Sequence, residues 1–303
     1  MSMLNDWLRL MRISNLPTCV TNVMTGCAIG IISLPADDPG PWIDPARFVL
    51  VLVGVFGFYL GGMVLNDVVD ATRDLKDSPH RPIPAGRIDR RVAGIVAGVL
   101  LIIGWVGCTL GGGWHGGIAA TALLASILLY ELLHGATWPA IILMGLCRAL
   151  VYVVAAFAVT SAPEPLLLIS LAAGLGLYTA GVTGIARGED SNARGGNWPT
   201  VVIGVGVLGP ACILAADHPL EWSVLPWLAF LVTGILLGIW IARSLTLLTR
   251  TPPRVMGSVL GLLAGMALLD AFFLAMLGWV ALALLAFACF AIVSLLHQSI
   301  SGT

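Results

Sequence analysis

Five of the 16 acidic residues fall between positions 67 and 89, and the first of them are spaced to share one helix face. In Asn66-Asp67-Val-Val-Asp70-Ala-Thr-Arg-Asp74, the residues Asn66, Asp70 and Asp74 stand at i, i+4 and i+8, with Asp67 three residues before Asp70. Stacked carboxylates repel one another, so the spacing favours a hard divalent cation between them. Mg²⁺ suits such a face, because it takes one or two carboxylates and completes its shell with substrate phosphate oxygens. The plain alternative is a solvated helix end carrying ordinary charges.

Directly behind this face comes His80-Arg81-Pro82-Ile83-Pro84-Ala85-Gly86-Arg87. Two prolines and a glycine predict a loop that folds Arg81 and Arg87 back beside the carboxylates. A guanidinium there pairs with phosphate oxygens in bidentate fashion, although these arginines also serve membrane topology. A second charged loop, Ala186-Arg187-Gly188-Glu189-Asp190-Ser191-Asn192-Ala193-Arg194, follows several helices later. Facing the first set, Glu189 and Asp190 would help clamp metal around a diphosphate and draw charge from it as an allylic C–O bond breaks.

The elements that position these groups are membrane helices. The chain is 58% hydrophobic and 10% charged, with mean hydropathy +0.98, far from the roughly 45–50% apolar, 25% charged usage of soluble domains. Apolar helices are expected near 15–34, 47–69, 92–112, 116–134, 138–160, 165–186, 199–216, 222–245, 256–277 and 279–297, in one domain over 1–303. The last two, parted only around Gly278, read as a tight hairpin or one re-entrant piece. An N-terminus on the cytoplasmic side places 13 of the 15 Lys and Arg inside, which predicts cytoplasmic ends and cytoplasmic acidic motifs. The net charge of −1, with no basic tail, excludes a nucleic-acid partner. Six scattered cysteines read as buried hydrophobes.

Asn66-Asp67-x-x-Asp70-x-x-x-Asp74, followed by Arg81-Pro82-x-Pro84-x-Gly86-Arg87, resembles the first aspartate-rich motif and loop of the UbiA-type intramembrane prenyltransferases. Leu8-Arg9-Leu10-Met11-Arg12-Ile13-Ser14-Asn15 is similar to that family's approach to its first helix, and Gly145-x-x-Arg148 resembles a pattern on its fifth. The resemblance runs from about residue 5 to about residue 275. It implies an all-α bundle of nine spans around a lipid-accessible cavity, with the acidic motifs facing each other at its cytoplasmic mouth; the tenth apolar segment read above is then an addition at the C-terminus. Two positions depart from the pattern. Ala186 stands where the second motif usually has an Asp, and Tyr130-Glu131-Leu132-Leu133-His134 stands where basic residues are expected. These departures resemble a divergent branch, such as the EboC-like proteins.

The resemblance implies Mg²⁺-dependent transfer of a prenyl group from a prenyl diphosphate to a hydrophobic acceptor, among membrane lipids. Asn66, Asp67, Asp70, Asp74, Glu189 and Asp190 would hold Mg²⁺, with Asp67, Asp70 and Asp74 catalytic. Arg81, Arg148 and Arg187 would contact phosphate, and Asn66 would also meet the substrate. Arg148 is costly within a span, so it faces either the cavity or a buried carboxylate, Glu131 or Asp270. Phe58, Tyr59, Tyr152 and Tyr178 read first as core, and the histidines near span ends carry no assigned chemistry. The main alternative is a non-catalytic lipid-binding or transport protein on the same fold. A CDP-alcohol phosphotransferase is disfavoured, because its Asp-Gly and Ala-Arg signature is missing.

Overall fold

The computed structural model describes residues 3–35, 44–133, 135, 137–187, 197–217 and 224–299. Among these, nine helices are long and apolar enough to cross a membrane. A short amphipathic helix α1 (Met3–Leu10) precedes them, followed by a 3-10 turn (Ile13–Asn15) and the spans α2 (Leu16–Ile32), α3 (Pro45–Asp77), α4 (Arg90–Leu133), α5 (Thr137–Phe157), α6 (Pro165–Arg187), α7 (Trp198–Asp217), α8 (Val224–Thr246), α9 (Val255–Met276) and α10 (Val280–Ser299).

The 44-residue α4 is two crossings. Its backbone leaves helical geometry at Gly113 (φ 62°, ψ −153°), and Trp105 Nε1 donates to Thr121 Oγ1 at 2.9 Å. Sixteen residues of unbroken helix would hold those side chains about 24 Å apart, so arms 90–112 and 114–133 fold back on each other. Among the described residues the bundle therefore makes ten crossings, the number that the sequence pattern predicts. The last division is a hairpin: Gly278 (φ 82°) takes the left-handed position after α9, and Trp279 N donates to Leu274 O at 2.8 Å, the Schellman geometry that stops a helix.

α2 and α9 form the centre. Their apolar windows are 72% and 78% buried, against 11% for α8 and 17% for α10, which present their surfaces to lipid. α2 packs on α5, α9 and α10, so the C-terminal helix closes against the first span rather than hanging outside the bundle. His297 near the end of α10 lies 2.8 Å from Asn15 Oδ1 at the start of α2, so the end of α10 and the entry to α2 meet.

At about 1.5 Å per residue, the 33-residue α3 is about 50 Å long, well beyond the roughly 30 Å hydrocarbon core. Its C-terminal turns, with Asp70 and Asp74, consequently reach the membrane boundary. Two apolar cores flank the interior. One joins α6 and α9 through Leu171, Tyr178, Leu262 and Phe273. The other joins α3, α4 and α5 through Phe58, Leu123 and Val154.

Candidate active site

The two cores part around a cavity with two chambers. The mouth chamber, about 430 Å³, is lined by Arg9, Arg12, Asn66, Asp70, Arg81 and Arg187 at its polar end and by Val259, Leu263 and Met266 of α9 deeper in. The inner chamber, about 120 Å³, lies between α3, α5 and the second arm of α4, with Val55, Phe58, Leu123, Ile127 and Val151 in its walls. Arg12, Tyr59, Asn66, Tyr130 and Arg148 line both and form the waist between them.

Of the predicted acidic face, Asn66 and Asp70 line the cavity. The Asn66 amide lies 3.5 Å from Asp70 Oδ2 and 3.3 Å from Glu131 Oε2. Asp67 and Asp74 are buried behind that rim and turn toward arginines. Asp67 Oδ1 is 3.6 Å from Arg12 Nη2 and 3.9 Å from Arg81 Nη1, while Asp74 Oδ2 accepts from Arg81 Nη1 at 2.8 Å. The repulsion among stacked carboxylates is thus countered by two guanidinium groups. Asp67 Oδ1 is nevertheless a buried oxygen without a hydrogen-bond donor. That orphan atom, one residue from Asn66 and three from Asp70 on α3, fits a hard cation that needs few protein ligands. Among the described residues no cluster of three or more His, Cys, Asp or Glu forms a closed cage. An open face completed by phosphate oxygens is the arrangement these residues allow.

The loop after α3 is built to hold Arg81. Arg87 N and Ile88 N both donate to Pro82 O, Gly86 is left-handed (φ 73°), and Ile83 and Ile88 are buried beneath the turn. Asp89 caps the next helix, accepting from Arg91 N at 2.8 Å and Val92 N at 3.1 Å. Arg87 departs from the expectation: it pairs with Asp6 of α1 at 3.0 Å and donates to His80 O, so it clamps the amphipathic helix to the loop and leaves the acidic face to Arg81.

Arg148 faces the waist, 5.5 Å over the Tyr59 ring. Its Nη1 donates to Asn22 Oδ1 at 3.0 Å. The other end of that amide donates to Asp270, so the cavity and the buried carboxylate, weighed as alternatives from sequence, are joined through one asparagine. Arg187 lines the mouth together with Tyr130. Glu189 and Asp190 lie outside the described residues. Ala186, where the family pattern has a ligand, sits at the mouth with no side-chain oxygen to offer.

Tyr152 and Tyr178 are fully buried, whereas Phe58 and Tyr59 line the inner chamber. Sequence reasoning gave Arg12 and Glu131 no place in the site. Arg12 lines both chambers in the left-handed conformation (φ 46°), and its carbonyl accepts from Tyr59 OH at 3.1 Å. The available signal was an arginine at the break between an amphipathic helix and a span. For Glu131 it was a carboxylate inside an apolar segment.

The UbiA prenyltransferase family model matches residues 25–254. Digeranylgeranylglyceryl phosphate synthase of Methanocaldococcus jannaschii is 33% identical over 106 residues, a stretch covering 35% of each chain. The protein of the same name from Sulfurisphaera tokodaii is 36% identical over 64 residues, 21% of this chain and 23% of its own. The matching stretches thus span about a third or less of those relatives. A solved structure concerning digeranylgeranylglyceryl phosphate synthase in membranes superposes with TM-score 0.61 at 21% identity, covering 93% of this chain and 100% of that one. The apo structure of a UbiA homolog from Aeropyrum pernix K1 gives 0.50 at 16%, covering 94% and 96%. With the family model matching residues 25–254 and the fold shared over 93% of its length, this multi-pass membrane chain belongs to the UbiA prenyltransferase family.

Proposed function

We propose that the chain transfers a prenyl group from a prenyl diphosphate to a hydrophobic acceptor inside the bilayer, as a single domain over 1–303. The observation that carries this reading is a cavity whose waist holds both Asn66 and Arg148, with Asp70 on the polar mouth side and an apolar interior beyond. Arg12, Arg81 and Arg187 surround the mouth and give a diphosphate its counter-charge. Asn66 and Asp70, with Asp67 behind them and Glu189 and Asp190 from the second loop, are the residues that would hold Mg²⁺. When bound, Mg²⁺ neutralises the leaving diphosphate. Apolar walls of α6 and α9 lodge the isoprenoid tail and keep water from the allylic cation. Arg148 at the waist would contact the diphosphate, and the Tyr59 ring lines the same waist. The positive-inside bias sets this mouth in the cytoplasm.

The test is binding and cleavage of labelled geranylgeranyl diphosphate by detergent-purified protein, with Asp70→Ala as control. The relatives' name directs that choice of donor. Metal-dependent binding with diphosphate release, lost in the control, is the expected result. Failure to bind any prenyl diphosphate at millimolar Mg²⁺ would overturn the reading in favour of a non-catalytic lipid-binding or transport protein, with Ala186 as the first residue to restore to Asp.

A further inference from the structure

We propose that the turn between α8 and α9 binds the phosphate of an anionic phospholipid through Arg243, Arg250 and Arg254, with the lipid's chains lying along α8. The site lies outside the cavity and does not depend on prenyl transfer.

The α8–α9 hairpin is a firm platform at the mouth side of the bundle. Trp240 Nε1 donates to Gly261 O at 2.7 Å, and α9 approaches so closely that a Cβ at Gly261 would meet Ser244 Oγ at 2.6 Å. Arg254 N donates to Leu247 O at 2.9 Å and closes the turn, which carries Arg250. Met256 and Val259, in the first turns of α9, line the mouth chamber, so the turn flanks the mouth at the same membrane boundary.

The charge of this hairpin is one-sided. Between Glu221 and Asp270 the chain carries Arg243, Arg250 and Arg254 and neither Asp nor Glu. On the same side of the bundle, Arg12, Arg73, Arg81 and Arg87 each pair with an aspartate. Arg243, Arg250 and Arg254 are exposed, and among the described residues none of them has a carboxylate partner. Topology alone puts basic residues on this face, but it does not explain why these three are left without a counter-charge. Anionic headgroups supply one at this depth, and guanidinium forks suit phosphate oxygens. Arg243 is already held at the boundary, 5.8 Å over the Trp240 ring.

The surface below the arginines favours a lipid over a free anion. Arg243, Ile239, Leu236, Ile235 and Val232 stand at i, i−4, i−7, i−8 and i−11 on α8, which is one helix face. Ile239 is 61% exposed and Val232 52%, so the stripe faces the bilayer. At 1.5 Å per residue it runs about 16 Å from Arg243 to Val232, close to half of the roughly 30 Å hydrocarbon core. Acyl chains of one leaflet can therefore follow it while the phosphate stays at the turn.

The test titrates detergent-purified protein with phosphatidylglycerol or phosphatidylcholine and counts bound lipid by native mass spectrometry. The parent should hold phosphatidylglycerol at least about tenfold more tightly than phosphatidylcholine. A basic residue beside anionic lipid is worth about a fivefold gain in association. Arg250→Gln, in the turn outside both helices, should therefore lose about fivefold without disturbing a span. Arg243→Gln, Arg250→Gln and Arg254→Gln combined should abolish the preference. Arg91→Gln, an exposed arginine at the start of α4, should bind both lipids as the parent does. Equal affinity of the parent for the two lipids overturns the proposal, and so does a combined variant that keeps the parental preference. An equal loss in Arg91→Gln reduces the effect to general surface charge and also overturns it. Displacement of phosphatidylglycerol by millimolar inorganic phosphate would make the site one for a free anion and refute the lipid as its occupant.

Discussion

Asn22 of α2 donates its amide N–H to Asp270 of α9 at 2.7 Å, in the middle of the bundle. Asp270 is fully buried and also accepts from Thr21, from Thr25 at 3.0 Å, and from Tyr152 of α5. Four donors from two helices converge on one carboxylate of a third, and Asn22 passes the connection to Arg148 at the waist. A fully satisfied polar network of this kind fixes helix positions that interchangeable apolar contacts leave loose.

Asp270→Ala strands four donors in the core. At about 1–3 kcal/mol per unsatisfied group, partly relieved by relaxation within the membrane, this variant is expected to lose several degrees or more of melting temperature in detergent. Asn22→Leu breaks only the link to Arg148 and one bond to Asp270. It should retain more stability than Asp270→Ala while weakening prenyl diphosphate binding. Thermal unfolding and equilibrium binding on the same preparations separate the two effects. Equal stability of Asp270→Ala and the parent would show that the network is dispensable.

Asp70 and Asp74 act differently despite their shared helix face. Asp70 borders the cavity, whereas Asp74 holds Arg81 at 2.8 Å. Both alanine variants should reduce turnover by at least about 100-fold, the scale on which a preorganised electrostatic group is felt. In a Mg²⁺ titration, Asp70→Ala should raise the metal concentration needed for donor binding. Asp74→Ala should chiefly weaken the diphosphate through a released Arg81. Wild-type turnover in either variant refutes its role.

The chain showed its membrane fold openly because bilayer solvent imposes length and apolarity on every span. The separate arms of α4 were readable from the Gly-rich 111–117 stretch, whereas a lone glycine at 278 left a hairpin and a re-entrant piece both open. The shared face of Asn66 and Asp70 was legible because i, i+4 spacing survives in any helix, and the loop that carries Arg81 was legible from Pro82, Pro84 and Gly86. What sequence left open was which way each charge turns. Arg87 belongs to Asp6, 81 residues away, and Arg148 reaches Asp270 through Asn22. Those choices depend on contacts among helices distant in sequence, for which spacing along one helix carries no information.

Arg12 combines a left-handed backbone with a guanidinium beside Asp67. A non-glycine residue there costs about 1–2 kcal/mol. Arg12→Gly should therefore unfold at a higher temperature than Arg12→Ala, although neither offers a guanidinium. Both should bind a prenyl diphosphate at least about tenfold more weakly, as expected for loss of a charge-assisted contact. Identical stabilities would remove the claim of backbone strain, and unchanged binding would remove Arg12 from the site.

Gly145 sets where Arg148 stands. A Cβ at Gly145 would lie 2.6 Å from the backbone oxygen of Gly176 on α6, a contact that no side-chain rotation relieves. Gly145→Ala must push α5 and α6 apart. Overpacking of this kind costs about 1–3 kcal/mol, and the displacement carries Arg148, about one turn further on, away from Asn22 and Tyr59. The variant should be less stable and should bind donor more weakly. Gly204→Ala, where a Cβ meets nothing within 4 Å, should change neither property. If Gly145→Ala matches Gly204→Ala in melting temperature and donor affinity, the α5–α6 crossing is not what holds Arg148 at the waist.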